Sequence, residues 1–121
     1  MALNELCRLT ASAAADLLKR REVSPLDLLD AAASRIAETE PRLNAMPILC
    51  IDRARSHART LMRETRSDLP PHHLYGLPIA VKDNVNVEGV RCTMGSTIFA
   101  EPIVQRTPST LTLSLTAIGN P

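Results

Sequence analysis

Tyr75-Gly76-Leu77-Pro78-Ile79-Ala80-Val81-Lys82-Asp83-Asn84 holds an unbroken apolar run between a glycine turn signal and three polar residues. A short run of this kind, without alternation, reads as a strand covered on both faces. Its polar end is the C-terminal end, where open α/β sheets gather ligands. Lys82 is one of two lysines in a chain that otherwise uses arginine, twelve times. On a buried strand a lysine is costly to charge, and a neutral amine serves as general base or nucleophile, which arginine cannot do. Spacing alone leaves a second reading open, in which Lys82 is a strand-end lysine paired with a neighbouring acid such as Asp83.

Upstream the pattern is helical. Thr10 is placed to cap a helix over residues 10–21, with Leu9, Ala13, Ala14, Leu17 and Leu18 on one face. Ser24-Pro25 restarts the helix, because serine accepts orphan N–H groups and proline at the first position loses no donor. Asp27 follows in the first turn, where the dipole favours an acid. Leu26, Leu29, Ala33 and Ile36 share a face, and the helix is expected to end near Thr39, ahead of Glu40-Pro41. Residues 10–40 are thus predicted to form a helical hairpin. Residues 43–51 read as a short strand interrupted by Pro47, and residues 52–66 as a third helix with Ile51, Ala54, Ala58, Leu61 and Met62 inward. Arg55, Arg59, Arg63 and Arg66 make a separate stripe, which reads either as a phosphate contact or as a solvated face. No aromatic is interleaved for base stacking, so the solvated face is preferred and no nucleic-acid partner is expected. His72-His73 are adjacent and do not converge on one centre, and no metal site is expected.

Composition excludes several classes. Hydrophobic residues are 45% and charged residues 22%, as in ordinary globular chains. The formal charge of +1 offers no field to recruit nucleic acid or an anionic membrane. No apolar run approaches the ~18 residues of a membrane span. The N-terminus lacks the marks of a secretory signal, so a cytoplasmic protein is expected. Cys7, Cys50 and Cys92 lie far apart without a C-x-x-C pair, and read as free thiols. Tryptophan is absent and Tyr75 and Phe99 are the only aromatics, so the core must be built from Leu, Ile, Val, Ala and Met.

Residues 74–96, LYGLPIAVKDNVNVEGVRCTMGS, resemble the opening of the amidase signature family. Gly76, Pro78, Lys82 and Asp83 match its G-x-P-x-x-x-K-D segment, and Thr93, Gly95 and Ser96 match the T-x-G-S element that follows. Ser24, Pro25, Arg35, Ile36 and Leu43-Asn44-Ala45 agree with the family's N-terminal region in order and spacing. The resemblance covers nearly the whole chain. It implies an α/β fold, the N-terminal part of an α/β/α domain, with residues 1–121 as a partial amidase domain. That part comprises the hairpin at 10–40, a strand–helix–strand segment at 43–99 carrying Lys82, and a divergent segment at 100–121. The helix of 52–66 would be a crossover between the first strands of a mixed sheet.

The activity implied is hydrolysis of carboxamide C–N bonds, as in amidases or the amidase subunit of a tRNA-dependent amidotransferase. A Ser–cis-Ser–Lys triad does this chemistry, with Lys82 at the position of the base, and no cofactor or metal is implied. Both serines belong to a downstream Gly/Ser-rich loop that this chain, with four glycines, does not carry. Ser96 is expected to serve turn geometry or packing instead. The chain is therefore expected to be inactive alone. A carboxamide substrate belongs to the full-length relative, and self-association or docking on an amidase-like chain is the alternative, non-catalytic role. At the C-terminal end, Arg106-Thr107-Pro108-Ser109 stands where the family has an acidic residue opening a helix. Residues 110–116 alternate as a strand would, while Leu111, Leu115 and Ile118 keep helical spacing between Ser109 as cap and Gly119 as terminator. The resemblance favours helix, and helix is expected.

Overall fold

The computed structural model describes residues 3–63, 74–101, 103 and 116–120. In chain order these form α1 (Leu3–Leu6), α2 (Ala11–Arg20), α3 (Pro25–Leu43), β1 (Ile48–Leu49), α4 (Ile51–Arg63), β2 (Pro78–Ala80), a 3-10 turn (Thr97–Phe99) and β3 (Thr116–Asn120). Arg66, His72 and His73 lie outside the described residues, as do residues 104–115.

The two helix starts form as their sequences dictate. Thr10 Oγ1 accepts the Ala13 N–H at 3.2 Å. Ser24 Oγ accepts the Asp27 N–H at 3.1 Å, while the Asp27 carboxylate accepts the Ser24 N–H at 2.7 Å. This reciprocal box satisfies orphan donors at both ends of the first turn. The Ser24 side chain and backbone, by donating to Asp27, hold its carboxyl below the usual aspartate value.

Helix α3 does not stop before Pro41. It continues to Leu43 and closes on Asn44 in the left-handed region, whose N–H reaches Glu40 O at 2.8 Å. Pro41 falls in the last turn, on an exposed position, so it withdraws one helical bond near a frayed end rather than breaking the middle. The strand expected over 43–51 is correspondingly reduced to Ile48–Leu49, and α4 begins one residue early, at Ile51.

Helix α3 is buried on two sides. Leu28 and Ala31 join Leu6, Ala14, Leu17, Leu18 and Val23 in one core. Leu29, with Ala32 and Ile36, meets Ala54 and Ile51 of α4 in a second. The single inward stripe read from the sequence missed the face of Leu28 and Ala31. Met62, expected inside, is exposed.

The sheet has the order β1-β3-β2, with β3 antiparallel to β1 and parallel to β2. It is mixed, as the fold class requires. Residues 116–120 are thus a strand, not the end of a helix. Gly119, expected to terminate that helix, instead pairs with Leu49 on one side and with Ala80 across an irregularity on the other. The backbone ladder on both flanks outweighs the helical spacing of Leu115 and Ile118. A third core of Val81, Val87 and Val90, with Ile48, Cys50, Ile79 and Val85 against it, lies under the sheet and the loop after β2.

The turn into β2 is anchored to the helices. The Tyr75 hydroxyl donates to Leu61 O at 2.5 Å, satisfying a carbonyl in the last turn of α4. Gly76 has φ +78°, and a Cβ there would stand 2.6 Å from Pro25 Cγ and 2.7 Å from Pro25 Cβ. Two motif residues, Pro25 and Gly76, are therefore in direct apposition. Among the described residues no helix is long and apolar enough to cross a membrane.

Gly76→Ala is expected to destabilise the chain by roughly 2 kcal/mol or more, through left-handed strain and overlap with the proline ring. Urea unfolding monitored by circular dichroism measures this, and an unchanged midpoint contradicts the contact.

Candidate active site

Strand β2 ends at Ala80, and the next three residues lead into a turn and alternate in burial. Val81 is buried, Lys82 is exposed and Asp83 is buried. The expectation of a lysine on a buried strand is thus corrected. Lys82 lies past the end of β2 on the open side, and among the described residues nothing covers it enough to bury it. It does sit at the C-terminal end of a sheet strand, where the reading of the sequence put it.

The loop after β2 closes on Asp83. One carboxylate oxygen accepts the Thr93 N–H at 2.7 Å, and the other accepts the Thr93 hydroxyl. The Asp83 carbonyl accepts the Met94 N–H at 2.9 Å and the Cys92 thiol at 3.7 Å. Val85 N–H donates to Lys82 O at 3.0 Å, so the carbonyl of the lysine is held by the turn that follows β2. From α4, the Arg53 guanidinium donates to Glu88 O and ties down the far end of the loop.

Thr93 passes the constraint on. Its hydroxyl accepts the Gly95 N–H at 3.2 Å, and its carbonyl accepts the Ser96 N–H at 2.9 Å. Ser96 Oγ accepts the Ile98 N–H at 3.3 Å and caps the 3-10 turn, the turn role expected of it. The N–H groups of Met94, Gly95 and Ser96 are thereby all engaged inside the loop, so this strip offers no donor set for an oxyanion.

Lys82, Asp83 and Asn84 form one wall of a cleft of about 760 Å³. Thr93, Gly95 and Ser96 line the same cleft, and so do Asn44 and Ala45. Parts of the K-D and T-x-G-S elements thus meet Asn44-Ala45, which lies roughly forty residues upstream in sequence. Asn44 and Arg91 are lining residues that sequence reasoning did not single out as site residues. Asn44 escaped because the helix was expected to end near Thr39, whereas it runs to Leu43 and closes on Asn44 in the left-handed conformation that asparagine tolerates. No signal marked Arg91, which donates to Ala100 O at 3.3 Å. The arginine stripe is partly spent on structure, since Arg55 bonds Asp30 of α3 at 2.9 Å. Among the described residues no group of three or more His, Cys, Asp or Glu is placed to hold a metal ion.

Burial pushes the Asp83 carboxyl up, but bonds from the Thr93 hydroxyl and N–H hold its charged form and bring it below the usual aspartate value. With the native value below the unfolded one, about 3.9, its stabilisation is complete above that value. It is lost as pH falls through the lower native value. Asp83→Asn is expected to cost roughly 1–3 kcal/mol at pH 7, and the variant is expected to lose less stability than the parent on going from about pH 5 to pH 2. Urea unfolding at a series of pH values checks both, and parallel pH dependences contradict the assignment.

Comparison with known proteins agrees with these convergent segments. The Amidase family matches residues 27–120. A subunit of the glutamyl-tRNA(Gln) amidotransferase of Geobacillus kaustophilus is 39% identical over 82 residues, covering 68% of this chain and 17% of its own length. An amidase of Pseudomonas putida is 35% identical over 94 residues, covering 78% of this chain and 20% of its own. A solved bacterial aryl acylamidase of the amidase signature family superposes with a TM-score of 0.71 at 25% identity, over 80% of this chain and 20% of that one. An inhibitor-bound structure, from work on a vestigial protein complex and the origins of an s-triazine catabolic enzyme, superposes with a TM-score of 0.77 at 25% identity. That match covers 93% of this chain and 26% of the other. The chain spans about a fifth of the length of the curated relatives it matches. With the motifs, the fold and the relatives in agreement, the chain belongs to the amidase family.

Proposed function

We propose that this chain is the lysine-bearing portion of an amidase-type C–N hydrolase, with Lys82 as the base of a Ser–cis-Ser–Lys mechanism on carboxamides. The observation that carries the reading is Lys82 itself. It stands just past the C-terminal end of β2, its carbonyl held by Val85, and shares a cleft with the T-x-G-S residues. A serine hydroxyl attacks an amide carbonyl only when a base takes its proton, and a lysine takes it only when uncharged. Burial is what removes a lysine's charge. Lys82 is exposed, and the reading assigns both serines to a Gly/Ser-rich loop outside residues 1–121. Inactivity is expected until further polypeptide covers the cleft and brings both serines. Free thiols at Cys7, Cys50 and Cys92 accord with a cytoplasmic setting.

A second reading, a non-catalytic module that docks on an amidase-like chain or on itself, is favoured by exposed apolar side chains beside the cleft. Met94, Ile98, Phe99 and Ile103 are exposed, Ile98 to 85%. Clustered exposure of this kind marks interaction surfaces.

The isolated chain is expected to show no turnover of simple carboxamides and no labelling by a serine-directed phosphonate. Co-expression with the downstream portion of a relative, such as the Pseudomonas putida amidase, is expected to restore hydrolysis that Lys82→Ala abolishes. Turnover that survives Lys82→Ala removes the lysine from the mechanism. A stable pair without turnover favours the docking reading.

A further inference from the structure

We propose that Asp83 is the positioning residue for Lys82, holding the strip of residues 93–96 against the segment that carries the amine in the cleft they share. The inference rests on reading Lys82 as the base. Asp83 is the one charged side chain in the core among the described residues, 8% exposed. A buried carboxylate is tolerated only where donors replace its water. Closing a loop does not require one, since an asparagine or serine does the same at lower cost. The charge has a specific use here, because an ionised carboxylate accepts on both oxygens. Thr93, on the far side of the loop, offers it two donors at once, one to each oxygen.

The consequence runs in two directions from Asp83. Backward along the chain is the adjacent residue, Lys82, whose carbonyl is held by Val85. Forward through Thr93 are Gly95 and Ser96, each held by an oxygen of Thr93. Lys82, Gly95 and Ser96 line one cleft. The carboxylate is therefore the link between the residue adjacent to a solvent-exposed lysine and the strip that lines the same cleft. Removing either half of the Asp83–Thr93 contact leaves the turn at Lys82–Val85 and the Met94 bond to the Asp83 carbonyl. It takes away the side-chain fastening between them, so the strip and the lysine loosen together while the cores around α3 stay packed.

The chain has two lysines, so reductive ¹³C-methylation gives each a resolvable signal, with Lys19 as an internal reference and Lys82→Arg as the assignment. The Lys82 signal is expected to stand apart from the position it takes in unfolded protein. It is expected to move toward that position in Thr93→Val and in Asp83→Asn, to return in Thr93→Ser, and to leave Lys19 unmoved throughout. A Lys82 signal that stays in place in a folded Thr93→Val or Asp83→Asn, with only the melting temperature lowered, overturns the proposal. So does a displaced signal in Thr93→Ser, which keeps both donors and serves if the other two variants do not fold. Activity plays no part in this readout. A failure of Lys82-dependent hydrolysis in the co-expressed pair therefore counts against the hydrolase reading and not against the anchor.

Discussion

A carboxylate with little access to water, bonded on both oxygens by Thr93, fastens the T-x-G-S residues to the segment that carries Lys82. Without the Asp83–Thr93 contact, the segment after β2 keeps its short turns and a small valine core, and its two ends meet through the Asp83 carbonyl without a side chain fastening them. With it, Lys82 is presented from a fixed backbone and the T-x-G-S residues are brought alongside. The contact has a foundation of its own. β2 is placed by the turn at Tyr75-Gly76, which is fastened to α4 through Leu61 and seated on the proline that opens α3. A chain of contacts thus runs from a helix cap, through a glycine with no room for a side chain, to the lysine.

Much of this was legible in the residues, for reasons that are local. Ser24, Pro25 and Asp27 specify a helix start because cap chemistry needs only neighbours, and the capping box formed as written. Thr10 did the same for α2. The strand before Lys82 was legible from its apolar run, although the ladder claims only Pro78–Ala80. What escaped was decided by tertiary surroundings. Pro41 reads as a helix stop, yet in a last turn it sacrifices little. Residues 116–120 satisfy both helical and strand patterns, and pairing on both sides settled the matter. Leu28 and Ala31 were missed because α3 is a central helix, and a single-stripe reading assumes a peripheral one.

Lys82 teaches the sharper lesson. Its place at a strand end follows from pattern, but its burial does not, because burial is a property of whatever packs over it. The chain spans about a fifth of the length of the curated relatives it matches. Small separate cores and exposed Ile98 and Phe99 fit an assembly whose larger share of apolar contact lies elsewhere. The absence of tryptophan and the burial of Tyr75 alone among the aromatics point the same way. The place of the amine at the end of β2 is encoded here, and its exposure is set by what packs beside it.

The central claim is tested most directly by hydrogen exchange at two backbone amides, those of Thr93 and Met94, both of which donate to Asp83. The account predicts that these amides are protected well beyond their loop neighbours Asn84 and Glu88, with opening energies approaching those of the buried turns of α3. Exchange of both at the rate of an unstructured peptide, in protein whose α3 amides are protected, contradicts it.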